Sequence, residues 1–398
     1  MTLRKLLFWI HLTIGCLAGA VVLIMSVTGL LLAYQRQITA WVDRGSPSTP
    51  PAPDSHRLPI EVMLAEALAR NHGAPTAITL RSDMTAPAEV SFGREHVFLV
   101  DVYTGRVLGE ASPRTRSFFQ SVENWHRWLG TSNEHRSAGR AITGACNFGF
   151  LLLVMSGPFL WLPRKWSMPS VRNIALFRPG LEGRARDFNW HNAIGIWCAL
   201  PLLVIVVSGV VMSYPWANNL VYRLAGSELP VPGNGQRPQE QARRRDRPAD
   251  AARDSTLAGL NGPWTRAEQQ VPAWRSLTLR LGANGRGPFV FTIDTGTGGR
   301  PDRRSQLTLD RRTGEVIRWE PFSSYNAGRR VRFWLRFLHT GEAGGIAGQT
   351  VAGIASAGAV MLAWTGVRLA LRRWLRWRRR SEPAIELSEA AAVEIGKG

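Results

Sequence analysis

Four apolar stretches constrain the fold of this 398-residue chain more than any other feature of its sequence. They cover Leu6–Gln35, Ala141–Leu162, Ala193–Trp216 and Thr350–Ala370. A helix needs roughly 20 apolar residues to cross a hydrocarbon core of about 30 Å, and each stretch is long enough. The sequence therefore predicts a mainly α-helical membrane protein with four transmembrane helices and the lipid bilayer as a permanent partner.

The first apolar stretch follows Arg4 and Lys5, as the apolar core of a secretory signal peptide also follows basic residues. This stretch is longer than such a core, and no small-residue cleavage site closes it. We therefore expect a retained anchor. Basic residues also crowd the loop after the second stretch and the end of the fourth, which predicts that both termini are cytoplasmic.

These boundaries predict an alternation of spans and polar segments along the chain. The segments are transmembrane helix 1 (1–36), an external domain (37–139), transmembrane helix 2 (140–163), a cytoplasmic loop (164–190), transmembrane helix 3 (191–216), a second external domain (217–348), transmembrane helix 4 (349–371) and a cytoplasmic tail (372–398).

Each external segment contains a phrase typical of a β-hairpin. The phrases are HVFLVDVYTGRVLGE at His96–Glu110 and SQLTLDRRTGEVIRWE at Ser305–Glu320, in which an Asp and a Thr-Gly turn separate two alternating runs. A helical apolar spacing covers Pro59–Arg70. Each segment is therefore predicted to be a small α+β domain. The second carries an Arg-rich polar insertion at 233–255, which we interpret as a flexible loop, with no nucleic acid as partner.

An 18-residue spacing recurs at each apolar stretch, beginning within the stretch or two residues before it, and suggests two tandem repeats of span, domain and span. Eighteen residues make five helical turns, so both ends of each interval lie on one face. The intervals are His11–Gly29, Gly139–Gly157, His191–Gly209 and Gly348–Gly366.

Two histidines begin the spans that rise from the cytoplasmic side. His11 and His191 are each followed four residues later by a glycine, Gly15 and Gly195, on nearly the same helix face. Ionisable residues inside a membrane are usually functional. Rings at matched depth on the first and third helices could bind one metal centre from opposite sides.

Two further histidines precede the spans that begin outside. His126 precedes the second span and His339 precedes the fourth, so this pair could bind a second centre near the outer surface. The match is looser here, because His126 lies 13 residues before Gly139 whereas His339 lies nine before Gly348. His135 therefore stays a rival ligand.

The residue types favour haem at both centres. Imidazole also binds zinc and copper, but a closed zinc site usually has four protein ligands, whereas six-coordinate haem needs two axial histidines. Glycine lets a flat macrocycle approach a helix backbone. Gly29 and Gly209 reach the outer level, and Gly157 and Gly366 reach the inner level. The alternatives without a cofactor are close helix packing for the glycines and interfacial hydrogen bonding for the histidines.

Several phrases carry a resemblance to a known family. They are FWIHLTIGCLAG…SVTGLLL, HRWLG…AGR…SGPFLWLPRKW, NWHNAIGIW…SGVVMSY and LHTGEAGGIAGQ…TGVRLALRR, with VDVYTGRVL and LDRRTGEVI similar to the PepSY signature. Together they resemble the PepSY-associated transmembrane family, whose members include inner-membrane ferrisiderophore reductases of Gram-negative bacteria.

The resemblance implies a multi-pass protein of the bacterial inner membrane, with haem b on the span-entrance histidines. It implies a ferric-siderophore reductase that passes electrons from the cytoplasm to a periplasmic ferric siderophore and releases Fe(II), with no catalytic residues beyond the haem ligands. Some relatives carry a flavin domain, but no Gly-rich nucleotide loop follows Arg380 here. We therefore expect the electron donor to be a separate flavoprotein, a reduced flavin or a quinol.

Two other function classes stay open. PepSY-type domains resemble inhibitory propeptide modules of peptidases, so the chain could be a membrane-anchored binding or regulatory module without redox chemistry. A repeated architecture is also typical of transporters. No apolar stretch carries an acidic residue at its middle, which disfavours the transporter.

Overall fold

The structure is a computed structural model that describes residues 2–43, 47–50, 52, 54–71, 73–163, 167–229, 259–281 and 287–395. The Arg-rich insertion expected at 233–255 lies outside these residues. The helices, in chain order, are α1 (Leu3–Ala33), α2 (Gln35–Val42), α3 (Ile60–Arg70), α4 (Pro113–Trp128), α5 (Arg136–Trp161), α6 (Met168–Ala175), α7 (Gly183–Ser213), α8 (Pro215–Leu224), α9 (Asn261–Gln270), α10 (Ala327–His339) and α11 (Gly345–Ile395).

Helices α1, α5, α7 and α11 are long and apolar enough to cross a membrane, as the sequence predicts. Helix α1 packs against α5 and α11, and α7 packs against the same two helices. The four therefore form a bundle with α1 and α7 on one diagonal. We call the end where α1 and α7 begin the terminal end, and the end from which the chain continues to the sheet the sheet end.

Small residues let these helices approach closely. A Cβ at Gly358 of α11 would lie 2.5 Å from the Cys198 sulfur of α7, and the neighbouring Ala355 and Ala359 are buried. Since lipid tails are as apolar as leucine, helix association in a membrane depends on such close packing.

Two helices extend beyond the spans expected from hydropathy. Helix α7 begins at Gly183 rather than near residue 191, and α11 continues past 371 to Ile395. Hydropathy detects the apolar part of a helix, whereas charged turns can continue it. In α7 the added turns include Asp187, whose buried carboxylate lies 3.3 Å from the Arg368 guanidinium and 3.6 Å from that of Arg372 on α11.

Eight antiparallel strands form one sheet in the order β4-β3-β2-β1-β5-β6-β7-β8. They are β1 (Ala77–Arg81), β2 (Ala88–Phe92), β3 (His96–Val100), β4 (Val107–Glu110), β5 (Ser276–Arg280), β6 (Phe289–Asp294), β7 (Arg304–Leu309) and β8 (Val316–Pro321).

The sheet joins the two external segments that the sequence treats as separate domains. Strand β1 of the first pairs with β5 of the second, with Ile78 opposite Leu279 and the Thr79 and Thr278 hydroxyls 2.9 Å apart. The pairing covers two edges that would otherwise expose unpaired backbone groups. An alternating pattern predicts a strand but not its partner, so the sequence could not show this junction.

One hydrophobic core serves both segments. Helices α3 and α9 contribute Met63, Leu64 and Trp264, which pack with strand residues such as Phe291. Glu61 of α3 also accepts hydrogen bonds from the backbone N–H groups of Leu260 (2.7 Å) and Asn261 (3.3 Å) at the start of α9. The sheet region is therefore one folding unit.

Both expected hairpins are present, and their turns explain the shared phrase. The Asp101 carboxylate accepts hydrogen bonds from the next turn's backbone N–H groups at 2.8 and 2.9 Å, and Asp310 does the same. Gly105 and Gly314 follow with φ of 74° and 70°, a conformation that favours glycine.

Two short helices connect the sheet to the bundle. Helix α4 runs from β4 towards α5 and packs against α1, and α10 runs from β8 towards α11 and packs against α7. Each begins with a capping side chain: Ser112 accepts from the Thr115 N–H, and Asn326 from the Arg329 N–H. These helices carry His126 and His339 to the sheet end of the bundle.

Candidate functional site

At the sheet end, the rings of His126 of α4 and His339 of α10 are in edge-to-face contact, with ring centres 6.4 Å apart and planes at 64°. His135, the rival ligand, is exposed in a short 3-10 turn just before α5. The structure thus brings His126, and not His135, to His339. We call these two rings the sheet-end pair.

The spacing of the sheet-end pair suits one metal ion between the rings. Imidazole–metal bonds of about 2 Å place two opposed ligand nitrogens roughly 4 Å apart and their ring centres roughly 6 Å apart. The 6.4 Å between the two ring centres agrees with this separation.

The surroundings of the sheet-end pair favour neutral rings. Burial, and next the nearby His339, lowers the pKa of His126 to about 4. Burial also lowers the pKa of His339. Because a metal binds neutral imidazole and not imidazolium, both rings are in the ligating state at neutral pH.

At the terminal end lie His11 of α1 and His191 of α7, on the two helices that form one diagonal of the bundle. We call them the terminal pair. Thr28, which contacts His126, lies 17 residues after His11 on α1, which is about 25 Å along a helix. The two pairs therefore lie near opposite ends of the membrane-spanning region.

All four rings make the same kind of hydrogen bond. Each Nδ1 bonds to a serine or threonine hydroxyl on a neighbouring helix, whereas Nε2 of each ring bonds to no other described residue. The partners are Ser156 for His11, Thr28 for His126, Thr365 for His191 and Ser208 for His339.

The two halves of the chain share these sites in a particular way. Each ring bonds to a hydroxyl from its own half, so His11 and His126 contact α5 and α1, and His191 and His339 contact α11 and α7. Each pair, in contrast, takes one ring from each half.

The donor set fits haem better than a closed zinc site. Within the described ranges, no three His, Cys, Asp or Glu side chains converge to hold a metal ion. Cys16, Cys146 and Cys198 are free thiols. A structural zinc site usually needs four protein ligands, whereas haem brings four nitrogens and needs only two axial histidines.

Three of the expected glycines lie beside a histidine ring. A Cβ would lie 3.3 Å from His126 Cε1 at Gly29, 3.5 Å from His191 Cε1 at Gly366, and 3.9 Å from His11 Cε1 at Gly157. Each directly follows the hydroxyl residue that bonds the same ring. A side chain at any of these glycines would therefore approach the imidazole.

The other expected glycines contact no ring. A Cβ at Gly209 would lie 2.9 Å from the Asn147 amide nitrogen, and one at Gly195 would lie 3.7 Å from Leu362. At Gly15 it would meet no described atom within 4 Å, so space is open beside α1 one turn above His11.

Two buried polar residues near the pairs, Asn147 and Asp187, are not among the site residues expected from the sequence. Asn147 of α5 donates a hydrogen bond to the Val206 carbonyl of α7 at 3.2 Å, next to Ser208 and Gly209. Asp187 lies one turn before His191 and is 2% exposed. In the sequence, these residues could have been recognised as a polar residue inside an apolar stretch (Asn147) and an acidic residue just before one (Asp187). Such residues are costly in a membrane unless they have partners.

The four long apolar helices and the antiparallel sheet define a multi-span membrane protein that is mainly helical. The chain belongs to the family described as the PepSY-associated TM region, whose model matches residues 8–373. The resemblance carried by the span-entrance phrases is thus confirmed. No curated protein matches the sequence.

Proposed function

We propose that the protein is a haem-binding oxidoreductase of the bacterial inner membrane that passes electrons to a ferric siderophore in the periplasm. One observation carries the proposal: four half-buried histidines form two pairs near opposite ends of one bundle, and each ring has its Nδ1 bonded to a hydroxyl while its Nε2 bonds to no other described residue. His11 and His191 would hold one haem group and His126 and His339 a second, since neutral imidazole nitrogens are haem-iron ligands.

In this proposal the terminal pair holds one haem b and the sheet-end pair holds a second. Haem b, when bound, supplies a reversible one-electron carrier. The protein's own side chains present neutral imidazoles at fixed positions, and the glycines beside them leave room at the helix surface. Two sites are needed because a hydrocarbon core of about 30 Å is too thick for one group to reach both faces.

Charge supports the proposed orientation. Arg4, Arg368, Arg372 and Arg373 all lie at the terminal end, and Arg4 donates to the carbonyls that end α5. Basic residues are enriched on the cytoplasmic side. We therefore place both termini in the cytoplasm and the sheet in the periplasm, and the shared order of elements in the two halves supports tandem repeats.

The chemistry of the acceptor follows from the direction of transfer. Oxygen-donor chelators bind the harder ferric ion more strongly than Fe(II), so reduction weakens the complex and releases iron. The donor on the cytoplasmic side is a separate flavoprotein, a reduced flavin or a quinol.

The testing experiment is a visible spectrum of the detergent-purified protein, oxidised and then reduced with dithionite, with haem quantified per chain. We expect a sharp reduced α-band and two b-type haem groups per chain. One haem per chain would contradict the two-site arrangement. A colourless protein from haem-supplied cells would contradict the oxidoreductase and favour the regulatory module.

A glycine-to-alanine substitution should affect haem binding differently at the sheet-end pair and at the terminal pair. Gly29→Ala places its Cβ 3.3 Å from His126 Cε1, whereas Gly157→Ala places it at an ordinary 3.9 Å from His11 Cε1. We expect Gly29→Ala to weaken haem binding at the sheet end about 10-fold, because it displaces a ligand ring, as loss of a ligand's supporting contact does. Haem titration of both variants checks this, and equal haem affinity in the two would contradict it.

A further inference from the structure

We propose that Thr28, Ser156 and Thr365 are positioning residues whose hydroxyl groups fix the tautomer and the orientation of three of the histidines, and that Ser208 shares this role at His339 with a backbone carbonyl. This inference rests on the proposed function, since it assigns these hydroxyls a role towards haem ligands. The sequence shows only that a small polar residue precedes each glycine.

The contacts have the same geometry at all four positions. The Nδ1–hydroxyl distances are 2.8 Å for His11 and Ser156, 3.0 Å for His126 and Thr28, 2.9 Å for His191 and Thr365, and 3.1 Å for His339 and Ser208. In every case the hydroxyl belongs to a membrane-spanning helix other than the one that carries the histidine.

Each hydroxyl donates its own proton to a hydrogen bond within its helix. It donates to the backbone carbonyl four residues earlier in its helix, at 2.6 to 2.7 Å. The acceptors are the carbonyls of Ile24, Leu152, Val204 and Met361. Such bonds to the preceding turn are a known habit of serine and threonine in helices.

The hydrogen bond from the hydroxyl to the carbonyl determines which nitrogen of the imidazole carries the proton. A hydroxyl has one proton to donate, so a hydroxyl that gives it to a carbonyl can only accept from the imidazole. Nδ1 must therefore carry the ring proton, and Nε2 keeps its lone pair. The lone pair is therefore on Nε2, the ring nitrogen that does not bond to the neighbouring helix, and a metal ion can bind it there.

A hydroxyl is a suitable acceptor for the Nδ1 proton inside a membrane. Metal-binding histidines commonly donate to a carboxylate, a backbone carbonyl or water. A carboxylate would place a charge inside the hydrocarbon region, which is costly, and water is scarce there. A hydroxyl bonded to its own helix adds no charge and leaves no polar group unpaired.

The backbone carbonyl three residues before the hydroxyl lies near three of the rings, Met25 for His126, Leu362 for His191 and Ile205 for His339. Among the described residues, only the Ile205 carbonyl has the distance and angle of a hydrogen bond to its ring. His339 Nδ1 also lies 2.8 Å from the Ile205 carbonyl oxygen, closer than the Ser208 hydroxyl at 3.1 Å. Loss of Ser208 should therefore leave the proton of His339 in place. The four hydroxyls are predicted to differ in importance, with Ser208 the least important.

The test compares Thr365→Val, which keeps the shape and removes the hydroxyl, with Thr365→Ser, which keeps the hydroxyl. The full-length protein is purified in detergent, and the rate at which haem transfers to excess apomyoglobin is measured together with the midpoint potentials. We expect Thr365→Val to lose one haem at least about 10-fold faster, and Thr365→Ser to behave like wild type.

The midpoint potentials give a readout that altered packing alone would not reproduce. A ligand histidine that donates its Nδ1 proton is a stronger donor to the metal, so the haem remaining in Thr365→Val should have a more positive midpoint potential at one centre. Ser208→Ala should change the rate and the potentials less than Thr365→Val does, because His339 Nδ1 keeps its hydrogen bond to the Ile205 carbonyl.

The outcomes separate this inference from the proposed function. A wild-type protein with two haem groups, whose Thr365→Val variant keeps the wild-type transfer rate and potentials, would overturn the inference and leave the function standing. Equal haem loss in the Val and Ser variants would overturn it too, because packing would then be the cause. A colourless wild type would overturn both. If Thr365→Val does not fold, Thr28→Val and Thr28→Ser make the same comparison at the sheet end.

Discussion

Replacing His191 with alanine should remove one of two haem groups per chain and lower ferric-siderophore reduction at least about 100-fold. Loss of a partner behind a metal ligand already costs about 10- to 100-fold, and loss of the ligand itself costs more. The sheet-end pair, on other helices, should keep its haem. The measurements are haem per chain, the reduced spectrum and the rate of Fe(II) release from a ferric siderophore in vesicles.

The chain offers matched controls for this variant. His96 and His135 are exposed and lie in neither pair, so their alanine variants should keep two haem groups and full activity. His126→Ala should remove the second haem instead of the first. Two retained haem groups in His191→Ala would show that the terminal pair is wrongly assigned.

Replacing Leu279 with aspartate should destabilise the sheet by about 4 kcal/mol or more, the largest effect on stability that we expect from one substitution. Leu279 is fully buried on β5, opposite Ile78 of β1, where the two halves join. A carboxylate there would be buried among apolar side chains without a partner. The measurement is thermal unfolding of the full-length protein in detergent, with proteolysis of the sheet as a second readout.

Arg280→Asp is the matched control for Leu279→Asp. Arg280 is the next residue of the same strand, but it is exposed, so a carboxylate there stays in water. Its effect should lie within about 0.5 kcal/mol. Similar unfolding temperatures for the two variants would contradict the assignment of one core shared by both halves.

The membrane-spanning helices could be predicted because about 20 consecutive apolar residues have few other solutions. Their ends could not, since the first turns of α7 are polar and become helical with Asp187 close to Arg368 and Arg372 of another helix. The hairpin turns were also predictable, because the Asp and Gly of each turn act locally. The pairing of β1 with β5 depends on residues about 200 positions apart, and no local pattern records it.

The residues of the candidate site could likewise be predicted only where a local sequence pattern determines them. Equal spacing was enough to group His11 with His191, but sequence spacing left His126 and His135 as rivals for the other pair. The choice depends on where α4 ends: its last turn carries His126 against Thr28 of α1, while His135 follows in an exposed turn. The hydroxyls were visible as residues before glycines, but their contacts arise only when the helices pack.

Because each ring is positioned by its own half while each pair is completed by the other half, assembly has a built-in order. During synthesis, the first half can insert in the membrane with His11 and His126 already anchored, yet neither ring has its partner. The terminal pair is complete only after α7 inserts, and the sheet-end pair only after His339 has been translated. Completion of the sheet-end pair is thus a late step in biogenesis, and a truncated nascent chain would lack that pair.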